Sequence, residues 1–342
     1  MQKKLSKGPL LNDQGHLHEA GYAFQLVKDY QRSKIKASKL RIKEWDYYYL
    51  QGQGFGVALT IADNAYMGLI SVSYFDFSKP SYHTKSKIIL LPMGRMRLPS
   101  SSKEGDIIIK RKGIDFQFLN DGKKRYLEAY FAKFKGTTPL IVEAVLDQEP
   151  KDSMVIATPF KEKATAFYYN QKILGMRVEG SISIGNIQKT FSDDAFGLLD
   201  WGRGVWTYKN TWYWGAGHGI IDGKVFAFNI GYGFGDTSNA TENMLFYNGK
   251  GHKLDDVHFN IPKDDQGKYL FTEPWTFTSS DQRFTMNFRP LIDRKDYLSL
   301  GILKSDQHQV FGYFSGEAIL DDGNVINIEE FLGFAEVISN KW

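Results

Sequence analysis

The sequence of 342 residues contains no cysteine, no long apolar run and no large excess of either charge. Without thiols the chain cannot form a disulfide scaffold, a zinc ribbon, an iron–sulfur cluster or a cysteine nucleophile. Because no run of about 18 apolar residues is present, we expect no helix that spans a membrane. Residues 1–9 also lack the apolar core of a secretory signal, which favours a cytoplasmic location.

Positive charge is in only slight excess, with 43 Lys and Arg against 39 Asp and Glu. The one dense basic run, between Arg32 and Lys43, is too short to indicate nucleic-acid binding. None of the 7 histidines stands in an HExxH motif or in another two-histidine-plus-carboxylate spacing. The sequence therefore predicts no metal site and no cofactor, and nothing in it indicates an oligomeric state.

Period-two alternation of apolar and polar residues dominates the chain from Ile35 onward. Short runs rich in β-branched and aromatic residues are separated by Gly, Asn and Asp, a spacing typical of antiparallel sandwiches and barrels. The sequence therefore predicts a mainly β fold, with two antiparallel β-barrels or sandwiches packed in tandem and few short helices. Four dipeptides supply the positive-φ residues that close two-residue hairpins: Asp121-Gly122, Asp222-Gly223, Asn248-Gly249 and Asp322-Gly323.

Composition divides the chain into three parts. Residues 1–34 are polar and broken, so we expect an N-terminal arm that lies over the body. Within the arm, residues 20–31 are the best candidate for a short amphipathic helix. Each remaining half has enough predicted strands for a barrel, and we place the boundary near residue 190, which gives β-domains at 35–190 and 191–342.

The Asp222-Gly223 turn fixes the register of the hairpin around it, because a two-residue loop pairs Ile221 with Lys224. Rings that cover glycines across a ladder restore the packing that glycine loses in a strand. In this register bulky residues meet glycines on both faces: Trp214 lies opposite Gly231, Trp212 opposite Gly233, Asn210 opposite Gly235, and glycines 215, 217 and 219 lie opposite Ile230, Phe228 and Phe226.

Trp212 and Trp214 share one face of this predicted strand with Asn210 and His218. One interpretation is a structural core, in which His218 is a hydrogen-bonded core histidine. The other is a ligand cavity, because aromatic walls with a few convergent polar groups are the usual form of a small-molecule site. Tryptophan is rarely fully buried and its N–H needs a partner. Both interpretations stay open.

Carboxylates close to rings are the candidates for acid–base chemistry. Asp200 and Arg203 lie three apart in Asp-Trp-Gly-Arg-Gly, which we interpret as a tight turn before the hairpin. Because a neighbouring Arg lowers the pKa of an Asp, a structural or ligand-orienting pair is favoured over a general acid. Glu44 and Asp46 share a strand face, as either a catalytic pair or a solvated face. Glu242 is a further carboxylate in aromatic surroundings.

Three blocks carry a resemblance to a known family: residues 39–48, the Asp200–Gly204 block with the tryptophan strand after it, and the C-terminal motifs at 312–316 and 332–342. Over nearly its whole length the chain resembles the bacterial family designated domain of unknown function 2804. That family is remotely similar to calycin-like two-barrel proteins, which include tocopherol cyclase, hydroxyneurosporene synthase and fungal Diels–Alder cyclases. The resemblance implies two lipocalin-like barrels with a ligand site in or between them, and it carries over no catalytic residue.

The expected partner is a small apolar, amphipathic or polycyclic molecule held in an aromatic-lined cavity. The expected activity is that of an isomerase, cyclase or hydratase that acts by positioning and proton transfer. A lipocalin-type carrier without turnover and a carbohydrate-active protein with tryptophan platforms and paired carboxylates are the alternatives. The expected catalytic residues are Asp200 and His218, and the expected ligand contacts are Trp201, Arg203, Asn210, Trp212, Trp214, Glu44, Asp46 and Glu242.

Overall fold

In the computed structural model the chain is almost entirely β-strand, as the alternation predicts. The structure describes residues 2–147, 149–301 and 303–341, so Trp342 of the C-terminal motif lies outside the described residues. Within these ranges the helical elements are two short 3₁₀ turns, Arg32–Lys34 and Lys39–Arg41. No helix in the described part of the chain has the length and apolar character to cross a membrane.

Twenty-four strands are present in the described residues, and they follow one another along the chain. They are β1 (Gly8–Pro9), β2 (Gly21–Ala23), β3 (Lys28–Asp29), β4 (Ile42–Gly52), β5 (Phe55–Asp63), β6 (Met67–Asp76), β7 (Ser81–Leu90), β8 (Ile107–Arg111), β9 (Ile114–Asn120), β10 (Arg125–Lys135), β11 (Thr138–Asp147), β12 (Met154–Phe160), β13 (Lys163–Ile184), β14 (Ile187–Thr190), β15 (Phe196–Val205), β16 (Lys209–Ile221), β17 (Lys224–Tyr232), β18 (Met244–Tyr247), β19 (Lys250–Lys253), β20 (Val257–Asn260), β21 (Trp275–Ser279), β22 (Phe284–Leu300), β23 (Leu303–Ile319) and β24 (Val325–Lys341).

Two large antiparallel sheets contain nearly all of these strands, and each sheet curls into a half-barrel. The first sheet has the order β7-β6-β5-β4-β15-β13-β11-β10-β9-β8, with β12 and β14 paired to β13, and β2 paired to β12. The second has the order β19-β18-β17-β16-β24-β23-β22-β21-β20, while β1 and β3 form a separate parallel pair. This architecture confirms the predicted mainly β, tandem two-barrel fold.

The chain passes from the first sheet to the second between Val205 and Lys209, after the boundary predicted near residue 190 but within about twenty residues of it. The reason is that β15 pairs with β4 on one side and β13 on the other, at the centre of the first sheet. The aromatic stretch that begins at Phe196 is therefore shared between the two sheets.

The N-terminal arm touches both sheets. Tyr22 pairs with Ile156 of the first sheet, and the Gln2 side chain donates a hydrogen bond of 2.8 Å to the carbonyl of Leu254 in the second half of the chain. The helix predicted at residues 20–31 is absent, and β2 and β3 stand in its place. A single short amphipathic segment gains little as an isolated helix, so pairing with the edge of β12 prevails.

The β16–β17 hairpin has the predicted register from Tyr213–Tyr232 to Ile221–Lys224, with Trp214 opposite Gly231. The ladder ends there, because Gly233 leaves the strand with φ +92. The predicted pairs of Trp212 with Gly233 and of Asn210 with Gly235 do not form as ladder pairs.

The two faces of β16 enter different environments. Its glycine face lies inside the second half-barrel, where Gly217 packs against Phe228 and Phe331. Its tryptophan face turns to the first sheet, where the Trp214 ring lies 6.1 Å from that of Tyr47 on β4. We call the space between the two sheets, into which this face points, the inter-sheet layer.

Candidate functional site

Asp200 lies in the middle of β15 and points into the inter-sheet layer. It accepts hydrogen bonds from Asn170 Nδ2 at 2.6 Å and from Trp45 Nε1 at 3.1 Å. This arrangement requires glycine at position 202, because a Cβ there would lie 2.1 Å from the Trp45 ring. The Asp-Trp-Gly-Arg-Gly block is part of strand β15 and not a tight turn. Gly202 makes room for the Trp45 ring, and Gly204 allows close approach of the Phe167 carbonyl.

Lys172 lies opposite Asp200 on β13 and forms a buried ion pair. Its Nζ is 2.7 Å from Glu242 Oε2 and 4.6 Å from the centre of the Trp214 ring. Burial raises the pKa of the Glu242 carboxyl above its ordinary value, although the Lys172 ammonium opposes this shift. A Cβ at Gly231 would lie 2.2 Å from Glu242 Oε1, so glycine at this position, opposite Trp214, leaves room for the Glu242 carboxyl group.

Glu336 is the third carboxylate of the layer, and it lies opposite Trp214 on β24. Its Oε1 accepts a hydrogen bond of 3.1 Å from Trp212 Nε1, and its Oε2 accepts one of 3.2 Å from Gln309 Nε2. Burial raises the pKa of Glu336 to about 7, with a further upward contribution from the charge of Asp200. This carboxyl can therefore both give up and take up a proton near neutral pH.

Asp200, Lys172, Glu242 and Glu336 form what we call the inter-sheet polar cluster. The Lys172 ammonium pairs with Glu242, and all four side chains are buried. Three oxygens of the layer accept no hydrogen bond from the described residues: Glu242 Oε1, Asn170 Oδ1 and Gln309 Oε1. Buried polar atoms normally have partners, so these acceptors suit donor groups of a bound molecule. Among the described residues no group of three or more His, Asp or Glu is placed to hold a metal ion.

Aromatic rings enclose the cluster, and the space expected beside Trp212 and Trp214 is filled. Phe234 stacks on Tyr168 with ring centres 4.8 Å apart and lies 5.9 Å from the Trp212 ring. The expectation of open space fails because the loop after β17 folds Phe234 back into the layer. A narrow cleft, too small to hold a water molecule, lies next to it and is lined by Ile156, Thr158, Tyr168, Tyr232, Phe234, Thr237 and Glu242.

His218 is not part of the cluster, although it shares the tryptophan face. It lies four residues from Trp214, about 13 Å along the strand, and its ring stacks on Tyr49 with centres 6.0 Å apart. Burial lowers the pKa of His218 to about 3, so the imidazole is neutral at physiological pH. Asn210 lies apart too, because its Nδ2 donates to the carbonyl of Thr207 at 2.7 Å and holds a turn.

The remaining predicted residues point the other way, into the first half-barrel. Arg203 pairs with Asp46 at 2.9 Å, instead of with Asp200. Glu44 accepts a hydrogen bond of 2.6 Å from the Tyr30 hydroxyl and pairs with Arg32, which ties the arm to the sheet. Glu44 and Asp46 thus share a buried face, not a solvated one. Trp201 is enclosed on the same side, edge-on to Tyr30 and Tyr169.

Sequence reasoning missed Lys172, Gln309 and Tyr168, and it gave Glu336 no role. The signal for Lys172 was a single charged residue on a strand face that otherwise carries alanine, tyrosine, asparagine and leucine. The signal for Glu336 was a carboxylate within the apolar run 331–338. Neither signal indicated which residues would meet, because the contacts join strands that are distant in sequence.

Comparisons with known proteins agree with this architecture. The model of the family described as domain of unknown function DUF2804 matches residues 2–342, so the chain belongs to that family. A structure assigned as AttH from Nitrosomonas europaea is similar with a TM-score of 0.52 and 12% identity, over 92% of this chain and 98% of that one. No curated protein matches the sequence.

Two further solved structures show weaker likeness. Kievitone hydratase from Nectria haematococca has a TM-score of 0.46 and 12% identity, over 88% of each chain. CghA has a TM-score of 0.49 and 9% identity, over 90% of this chain and 89% of that one. At these levels of identity the AttH likeness supports the fold alone, and neither weaker likeness bears on activity.

Proposed function

We propose that this member of the DUF2804 family binds a small, largely apolar or polycyclic molecule between its two sheets and transfers a proton to or from it. The activity is that of an isomerase, cyclase or hydratase. The observation that carries the proposal is the Glu336 carboxyl, which is buried among rings and has a pKa raised to about 7. A proton-transfer group is most effective when its pKa lies near the working pH.

The residues of the layer then have separate roles. Glu336 is the general acid or base, and Trp212 orients it through the hydrogen bond from its indole N–H. The Asp200 carboxyl group is held in place by two hydrogen-bond donors and stabilises positive charge that develops on the ligand. Lys172 and Glu242 orient a polar group of the ligand, for which Glu242 Oε1 is a free acceptor among the described residues.

Entry of a polycyclic molecule requires Phe234 to move out of the layer. The residues on either side of it, Gly233 and Gly235, have φ values of +92 and +82, which favour glycine. Asp236 anchors the outer end of this loop through its N–H, which donates to the carbonyl of Pro159 at 2.7 Å. Rotation about the two glycines would open the cleft beside Tyr168 and join it to the polar cluster.

The carrier alternative differs from the proposal only in the absence of turnover, and the same experiments distinguish them. The carbohydrate alternative requires exposed tryptophan platforms. Trp214 is only 4% exposed, and its indole N–H donates to Asn229 Oδ1 at 2.7 Å. This burial favours an apolar guest over a sugar.

Binding is tested with a neutral, polarity-sensitive naphthylamine dye, followed by its fluorescence. We expect the wild-type chain to bind it, Phe234→Ala to bind it faster, and Trp212→Ala to bind it at least about tenfold more weakly. Tyr297→Ala is the matched control, because Tyr297 is an exposed ring. Equal binding by all four proteins, or by none, would contradict a site between the sheets.

Turnover is tested by incubating polycyclic enones and polyenes with the protein in deuterated water and measuring deuterium uptake by mass spectrometry. We expect uptake that depends on a group with a pKa near 7 and that falls by about 10²–10⁴ in Glu336→Gln. Glu317→Gln, an exposed carboxylate on the same sheet, should retain the wild-type rate. Dye binding without deuterium uptake from any member of the panel would establish the carrier instead.

A further inference from the structure

A second pocket opens at one end of the first half-barrel, on the side away from the inter-sheet layer. Its volume is about 340 Å³, within the range of small-molecule sites. Adjacent residues of β13 face the two sites: Gln171 lines this pocket, whereas Lys172 points into the inter-sheet layer. The arm, the loop before β8 and the hairpin before β10 form its rim. The polar and charged residues of its lining are Gln25, Lys103, Asn120, Lys123, Arg125, Glu149, Lys151, Ser153 and Gln171.

The charge of this lining is one-sided. Four cationic side chains face one carboxylate, so the pocket attracts anions. Three of the cations are exposed lysines on the rim: Lys103, Lys123 and Lys151. The fourth, Arg125, is set into the wall, with only 6% of its side chain exposed.

The ion pair between Arg125 and Glu149 is unequal. Glu149 Oε2 lies 2.8 Å from Arg125 Nη2, but 41% of the Glu149 side chain is exposed while the guanidinium is buried. Among the described residues Arg125 Nε has no hydrogen-bond partner. A buried guanidinium needs a compensating anion, whereas an exposed glutamate is well solvated when it swings away. Glu149 is thus the replaceable member of the pair.

Neutral polar groups continue the site behind Arg125. Gln171 Nε2 donates to Ser153 Oγ at 2.8 Å, and the Ser102 hydroxyl donates to Gln171 Oε1. Asn120 Nδ2 donates to the carbonyl of Ser102 at 2.9 Å. These side chains connect the rim loop, the hairpin and β13, so the wall around Arg125 is fixed in place and suits a polar ligand.

We propose that this pocket binds a small molecule through one carboxylate or phosphate group, which takes the place of Glu149 on Arg125. A guanidinium recognises both groups through charge-assisted hydrogen bonds. Glu149 acts as an internal stand-in for the ligand when the pocket is free. The rim lysines raise the local concentration of the anion and do not select it.

The test is titration of the full chain with inorganic phosphate and, separately, with acetate, by calorimetry at constant ionic strength. Removal of the competing carboxylate in Glu149→Gln should tighten binding about two- to fivefold. The matched control is Glu317→Gln, which removes one negative charge far from the pocket and should leave the affinity unchanged. The anion that binds more tightly identifies the ligand group as phosphate or carboxylate.

Arg125→Gln should weaken binding by about tenfold or more, and circular dichroism will show whether this variant folds. If it does not fold, Glu149→Gln and Lys123→Gln still test the proposal. Lys123→Gln should weaken binding more than Lys209→Gln does, where Lys209 is an exposed lysine of the second sheet. Equal affinity of Glu149→Gln and Glu317→Gln would overturn the proposal. Equal losses at Lys123 and Lys209 would do the same, since they indicate diffuse attraction to a basic surface.

Discussion

The two faces of β16 border two enclosed, ring-lined spaces that differ in what else they contain. Inside the second half-barrel, phenylalanines pack against one another, with Phe228 and Phe314 4.9 Å apart and Phe288 and Phe314 4.5 Å apart. On the opposite face, the rings of Trp45, Trp214 and Trp212 contact Asp200, Lys172 and Glu336 respectively. One strand thus separates a purely apolar core from a buried set of charges.

This difference shows that aromatic content alone does not mark a site. An apolar core gains stability from every ring it buries and offers no group that reacts. Buried charges lower stability unless they are paired, so a cluster of three carboxyl groups and one ammonium is expensive for the fold. We expect substitutions on the two sides of β16 to respond differently, as the following experiments would show.

The largest effect is expected from Lys172→Met, which leaves Glu242 buried without its cation. The free energy of unfolding should fall by about 3–5 kcal/mol, measured by urea denaturation. Met286→Leu in the second half-barrel, a swap of similar volume, should cost less than about 1.5 kcal/mol. The double variant Lys172→Met with Glu242→Gln should recover much of the loss. A single Lys172→Met variant as stable as Met286→Leu would show that the layer behaves like the apolar core.

The next effect is the dependence of stability on pH. The pKa of Glu336 is raised from 4.5 to about 7, so the folded state binds more protons than the unfolded state between these values. Stability therefore falls as the pH rises from about 4.5 to 7, by roughly 3 kcal/mol from this group. Glu336→Gln should remove that fall in urea denaturation at pH 5 and 8, while Glu317→Gln should retain it. An unchanged pH dependence in Glu336→Gln would place the pKa of the carboxyl near its ordinary value.

Glycine-to-alanine substitutions test what each face accommodates. Gly231→Ala brings a Cβ against Glu242 Oε1, and Gly217→Ala brings one within 2.8 Å of the Phe228 ring. Both should cost about 1–3 kcal/mol of unfolding free energy. Only Gly231→Ala should also weaken binding of the neutral dye, since only that change displaces a residue of the polar cluster. Loss of dye binding in both would point to a general loosening of the fold.

The smallest effect is expected at His218. At pH 7 the change to Phe should alter the unfolding free energy by less than about 1.5 kcal/mol, because a neutral ring is replaced by a ring of similar size. The pKa of His218 is lowered from 6.5 to about 3, so wild-type stability is lost as the pH falls through this window. His218→Phe should lose less stability on acidification and should retain dye binding. Loss of deuterium uptake in this variant would return His218 to the site.

Local chemistry made part of the fold predictable. The Asp222-Gly223 turn sets the hairpin register, because a two-residue loop and ring-over-glycine packing act between neighbours. Gly202 shows the limit of such reasoning. Beside Asp200 it has the composition of a turn, yet its role is to make room for Trp45, which comes from a strand far away in the sequence. The partner, and hence the reason for the glycine, is absent from the local sequence.

The candidate site was likewise predictable only where the signal was local in sequence. Asp200, Trp212, Trp214 and Glu242 lie together in the layer, and each had a local signal in its aromatic surroundings. Lys172 could not be placed with them, because its contact with Glu242 joins strand β13 to the loop before β18. Pairing across two sheets depends on how their twist brings them together, and alternation within a strand does not encode that.

The arm has a consequence for the order in which the protein is made. Gln2 and Leu254 are hydrogen-bonded although 252 positions separate them. During synthesis at about 5–20 residues per second, Leu254 is made roughly 10–50 s after Gln2. The arm therefore completes its contacts only after the first sheet and the strands up to β19 have been translated.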